Sequence, residues 1–183
     1  MDDTMRFFLG VLFVSLSGVA SAQEKGPELQ IRETLRALPE ALRDGATVIG
    51  YEDGERRILK TGSGEMICWA DDPSLSDARG AFFVNCFPKS LEAFENRRAE
   101  LALNPDLLEI LRSEVESGRL KVPEMAIRYT LRGHAADGAV PLAVLHVPFA
   151  TARSTGLSTE PDHFRPWLMG ESTVMAHLML PGQ

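Results

Sequence analysis

Apolar residues recur at helical spacing in three stretches of this chain and alternate or run together in seven others. Leu29, Ile31, Leu35, Leu38 and Leu42 predict an amphipathic helix over 27–43. Pro39 cannot supply the amide hydrogen a helix interior needs, so the helix breaks or restarts there. Gly45 stands where a C-terminal cap would fall. β-prone runs at 47–51 and 57–61 flank Glu52-Asp53-Gly54-Glu55, and an Asp-Gly pair between two such runs predicts a hairpin. The following Thr61-Gly62-Ser63-Gly64-Glu65 lacks the lysine of a phosphate-binding glycine loop. It leads into a strand rather than a helix, so it reads as a plain turn.

MICWA at 66–70 and AFFVNCF at 81–87 are the next strands, joined by a polar, turn-rich linker. Leu91, Phe94, Arg98 and Leu101 then set a helix at 90–103, with Glu92, Glu95, Arg97, Arg98 and Glu100 read as a solvated face of i,i+4 pairs. Asn104-Pro105 restarts the helix, asparagine as N-cap and proline at the first helical position, and Gly118 closes it. Strands follow at 125–132, 142–149 and 174–180. Strand runs kept apart from helices predict an α+β fold: a mainly antiparallel sheet of about six to seven strands, with an N-terminal helix and a central helix pair packed on one face. No internal repeat or low-complexity tract divides the chain.

The N-terminus changes where this domain is expected to work. Met5-Arg6 precedes the uncharged run FFLGVLFVSLSGV, and Ala20-Ser21-Ala22 is a small-x-small cleavage site. Residues 1–22 are therefore expected to be a signal peptide and 23–183 a single domain, periplasmic or secreted. Asp2 and Asp3 lie where such a peptide is ordinarily basic, and initiation at Met5 removes the conflict. The run is shorter than the ~20 residues that span a bilayer, and no cysteine follows the cleavage site to carry a lipid. No membrane association is expected once the signal is removed.

Charge narrows the partners. With 26 acidic against 19 basic residues, a formal net charge of −7 and no basic run, the chain is poorly suited to nucleic acid or anionic membranes. Its two cysteines, Cys68 and Cys86, are an even count in an exported chain and lack the CxxC redox spacing, so a disulfide is expected.

Candidate chemistry concentrates near the C-terminus. The segment 150–172 is long for a connection in a compact domain, and such loops are commonly functional. Trp167, Arg165, His163, Ser154 and Thr155 are its expected ligand-binding residues. In VMAHLML, strand alternation puts Met175, His177 and Met179 on one face, and thioethers flanking an imidazole suit Cu(I). The plainer reading is methionines filling core gaps. His146, in LAVLHVPF, reads as a satisfied core histidine unless it neighbours Cys68, Asp71 or His177. A small hydrolase would need a loop Ser or Thr beside one of the histidines. There is no GxSxG elbow and no SxxK with its partner motifs, so no catalytic residue is assigned. Asp71 and Asp72 lack the further oxygen ligands of a calcium loop and read as turn and capping residues.

The segments MICWADDP, FVNCFPKSLEAF and PFATARSTGLSTEPDHFRPWLMGESTVMAHLML resemble an uncharacterised family of short exported bacterial proteins. The resemblance covers most of the mature chain and implies export and a bacterial origin, with no activity, cofactor or site attached. The expected function is a non-enzymatic binding or structural module for an unknown small molecule or protein. The alternatives are soft-metal (copper) binding and a small hydrolase.

Overall fold

Asp53 and Gly54 adopt φ of 52° and 75°, the left-handed pair that lets a tight turn match the twist of its flanking strands. They join β1 (Thr47–Glu52) to β2 (Glu55–Lys60) as the expected antiparallel hairpin. The structure is a computed structural model and describes residues 25–75 and 81–181; the expected signal peptide at 1–22 lies outside them. After β2 the chain doubles back, and β3 (Met66–Trp69) pairs with β1 in parallel.

That return is possible because glycines meet backbone to backbone. A Cβ on Gly62 would come within 2.2 Å of Gly45 O, and Gly64 N donates to the same oxygen at 2.8 Å. The Gly62-Ser63-Gly64 turn thus serves close approach. Gly45 does not take the left-handed φ of a helix cap, as its position suggested; it is the other side of this contact.

The sheet continues through β4 (Phe82–Pro88), β5 (Ile127–Gly133), β6 (Val140–His146), β7 (Trp167–Met169) and β8 (His177–Pro181). Among the described residues its order is β2-β1-β3-β4-β5-β6-β8-β7, eight strands, mostly antiparallel with the β1–β3 parallel pair. The α+β class holds, and the count of six to seven is corrected. The added strand, β7, is three residues long, too short for alternation to reveal it.

Helices cover both faces rather than one. α1 (Pro27–Leu35) lies over Val48, Cys68, Val84 and Cys86, with Leu38 beside them. Ile67 and Phe87, one residue out of phase, pack instead with Leu91, Phe94 and Leu111 from α3 (Glu92–Glu100), α4 (Leu107–Glu116) and the turn before α3; α2 (Glu40–Arg43) is a single turn. Consecutive residues of β3 and β4 are buried, Ile67 with Cys68 and Cys86 with Phe87, and strands apolar on both faces need cover on both. At the start of α4 the cap is Asp106, while the Asn104 side chain accepts from Asp106 N at 2.8 Å, so Pro105 precedes the helix. Gly118, with φ of 74°, ends it as expected.

Cys68 and Cys86 are directly opposed across β3 and β4, fully buried, and disulfide-bonded. The bond closes a loop with a sequence separation of 18, worth about 3 kcal/mol in the chain-entropy account. The double variant Cys68→Ala/Cys86→Ala is expected to lose roughly that much in a urea titration and to become insensitive to reductant. A variant as stable as the oxidised parent would show that the bond contributes nothing.

Candidate functional site

A cleft of about 460 Å³ opens on the α3 side of the sheet, beside the parallel β1–β3 pair. Its walls include Trp69, Arg56, Tyr51, Phe83, Asn85 and Arg98. Trp69 ends β3 and is held from two sides: its ring meets Phe87 edge-on at 4.9 Å, and the Arg56 guanidinium lies 4.3 Å from its centroid. The Tyr51 hydroxyl donates to Asp72 Oδ2 at 2.9 Å. Burial, then that bond, push the tyrosine well above its ordinary pKa. Burial alone would raise Asp72, but hydrogen bonds from Ser74 and Tyr51 outweigh it and hold the carboxyl low. Asp72 Oδ1 accepts from Ser74 N at 2.9 Å and Asp71 Oδ1 from Phe83 N at 2.9 Å, so both aspartates organise the β3–β4 connection as turn residues.

Behind the cleft lies a buried polar network centred on Glu95, which is fully buried. Asn85 Nδ2 donates to Glu95 Oε2 at 3.1 Å. Arg98 Nε and Nη2 donate to the same oxygen at 3.1 and 2.5 Å. Arg128 Nη1 donates to Oε1 at 3.2 Å, and His146 Nε2 lies 4.0 Å from that oxygen. Burial pushes the Glu95 carboxyl up, but Arg128 and then Arg98 outweigh it and keep it ionised. Burial, reinforced by Arg128, takes His146 down to about 4, so its approach to Glu95 is not an ion pair at neutral pH. Several polar atoms here lack a hydrogen-bond partner: Asn85 Oδ1, Arg128 Nε and both ring nitrogens of His146.

His146 is therefore a buried histidine but not a satisfied one, and it does neighbour His177. The two are register partners on β6 and β8, with ring centroids 6.2 Å apart. His177 Nδ1 donates to Met175 O at 2.7 Å, which leaves Nε2 as the lone-pair nitrogen of the neutral ring.

The residues singled out near the C-terminus are spread out rather than gathered. Ser154 and Thr155 sit on a one-turn helix, α5 (Ala152–Thr155), where Thr151 and Ser154 form a reciprocal capping box. Thr155 Oγ1 donates to Thr151 O at 3.0 Å, so these hydroxyls serve their own backbone. His163 is exposed, and Arg165 Nε pairs with Asp162 at 2.7 Å. Trp167 is half-buried on β7, opposite Met179 of β8. β8 starts only at His177, so Met175 falls in the preceding turn instead of sharing a strand face with His177 and Met179. Among the described residues, no group of three or more His, Cys, Asp or Glu is placed to hold a metal ion. Nor is any histidine hydrogen-bonded there to a serine or threonine hydroxyl.

The sequence pattern does not single out Tyr51, Arg56, Trp69 and Phe83 of the cleft, nor Asn85, Glu95, Arg98 and Arg128 of the network. Local i,i+4 pairing puts Glu95 on a solvated face; the structure places it inside. A signal was present. The stripe Leu91, Phe94, Arg98, Leu101 carries a guanidinium into the face that packs on the sheet, and Glu95 lies on its border.

The histidines set a pH window. His146 titrates near 4 in the fold and near its ordinary 6.5 when unfolded, so the unfolded chain binds the extra proton between those values. Stability from this site is complete above about pH 6.5 and falls by up to roughly 3 kcal/mol as pH drops towards 4. His177 is depressed too, first by burial, and adds in the same direction. The groups facing His146 are Glu95, Arg98, Arg128 and His177. In urea titrations from pH 7 to 4, His146→Leu is expected to flatten this slope; an unchanged slope would mean His146 is not the group that titrates. No protein-family model matches the chain, and no similar curated protein or solved structure was found.

Proposed function

We propose that this chain is a non-enzymatic binding protein that takes a small polar molecule into the cleft beside Trp69, Asn85 and Arg98. The observation that carries this reading is Arg98. It lines the cleft with its side chain 25 % exposed, and Nε and Nη2 are committed to the buried Glu95, so the guanidinium is held fixed at the wall. The Trp69–Arg56 stack and Phe83 add flat and apolar contact area next to it, as small-molecule sites require.

Export to the periplasm or beyond fits this role. The buried disulfide belongs to a non-reducing compartment, and no helix among the described residues is long and apolar enough to cross a membrane.

A thermal-shift screen against small polar metabolites, read together with Trp69 emission in a Trp167→Phe background, tests the proposal. A ligand of the folded state raises the midpoint with concentration and should also move the Trp69 signal. Arg98→Gln is expected to weaken it about tenfold, the worth of one hydrogen bond to a charged group. Midpoint shifts without any change at Trp69 would place the ligand elsewhere and overturn the assignment to this cleft.

A further inference from the structure

Strands β5, β6 and β8 are joined by backbone ladders, whereas among the described residues no backbone hydrogen bond ties α3 to a strand. The hold of α3 on the sheet is made of side chains: Phe94 in the apolar cluster, and Glu95 with its partners Asn85 and Arg128. α3 is in turn tied to α4, because Arg97 Nε and Nη2 donate to Glu114 Oε1 at 3.1 and 2.7 Å. The apolar core is divided in the same way. Leu91, Phe94, Leu101 and Leu111 form one cluster with the α3 face of the sheet, and Leu38, Cys68, Val84 and Cys86 belong to another under α1. The α3–α4 layer can therefore part from the sheet while the disulfide and the α1 layer stay in place.

His146 sits where that hold can be broken. It is 2 % exposed and neither ring nitrogen has a hydrogen-bond partner. Two of its neighbours come from α3: the Phe94 ring lies edge-on at 6.1 Å, and Glu95 Oε1 is 4.0 Å from Nε2. The charged and titratable groups facing it are Glu95 and Arg98 from α3, Arg128 from β5 and His177 from β8. A second ring proton would make both nitrogens donors. Nε2 would then compete for Oε1 with Arg128, whose Nη1 is already there at 3.2 Å, and Nδ1 would still lack an acceptor. Three cations would share one carboxylate. Such a buried charge is costly without water, and water reaches it when the helix layer lifts. We infer that His146 is an acid-sensitive latch: its protonation releases the α3–α4 layer from the sheet and leaves the α1 layer and the disulfide folded. Asn96, Arg98 and Ala99 line the cleft and leave with that layer, so one cleft wall opens too. The latch needs no ligand in the cleft.

The test is amide hydrogen exchange of the purified, disulfide-intact protein at pH 7 and pH 5, each rate divided by its intrinsic value so that it reports local opening. In the open layer His146 titrates near its ordinary 6.5, against about 4 when covered. Opening of α3 and α4 should therefore be roughly twentyfold more populated at pH 5 than at pH 7. At pH 5 it should also exceed the opening of α1 and β4 by at least about tenfold, since a sub-global unit opens more readily than the whole fold. His146→Leu should remove most of the pH response in α3, and His146→Gln, a polar side chain that takes no proton in this range, should do the same if leucine disturbs the packing. Equal protection of α3 and α1 at pH 5 would make the opening global and overturn the latch. Level α3 protection from pH 7 to pH 5 would overturn it as well, and so would a full pH response in both variants.

Discussion

A single buried carboxylate ties α3 to the sheet. Glu95 projects from the first turn of α3 and takes hydrogen bonds from Asn85 on β4, Arg128 on β5 and Arg98 on its own helix, with His146 of β6 close by. Sequence-distant elements therefore share one charge. Apolar contacts such as Phe94 against Leu111 and Phe87 hold α3 down, but they are non-directional and would tolerate a small slide or rotation. Hydrogen bonds to a buried carboxylate do not, because breaking one leaves a charge or a polar atom without water. The helix thus has one register on the sheet, and that register fixes the wall of the cleft.

The rest of the architecture serves the same corner of the molecule. The glycine contact between Gly45 and Gly62–Gly64 lets β3 return parallel to β1, which sets Trp69 opposite Ile49 and within reach of the Arg56 guanidinium. The disulfide pins β3 to β4 on the opposite face, under α1. With β3 and β4 covered on both sides, Asn85 is buried and bonded to Glu95 at the edge of the opening.

Much of the fold is legible in the sequence wherever one residue type has one structural use. Asp53-Gly54 announces its hairpin, Cys68 and Cys86 their bond, and Gly118 its helix end. The site is not legible by those rules, because it breaks them. Arg128 stands on the polar phase of β5, which alternation assigns to solvent, yet its side chain is only 11 % exposed while Ile127 on the apolar phase is 41 % exposed. Glu95 and Arg98 satisfy helix-surface pairing locally and still turn inward, since a tertiary partner outweighs i,i+4 support of a few tenths of a kcal/mol. In VMAHLML the alternation is that of a strand, but left-handed backbone at Gly170 and Ser172 and the turn that follows delay β8 to His177. Buried polar networks are specified by pairs far apart in the chain, and a periodicity read one segment at a time does not see them.

The most direct measurement is the stability of Glu95→Gln against the parent in urea at pH 7. The account expects a loss of at least about 3 kcal/mol, because Arg98 and Arg128 then face no buried carboxylate. Equal stability would contradict it.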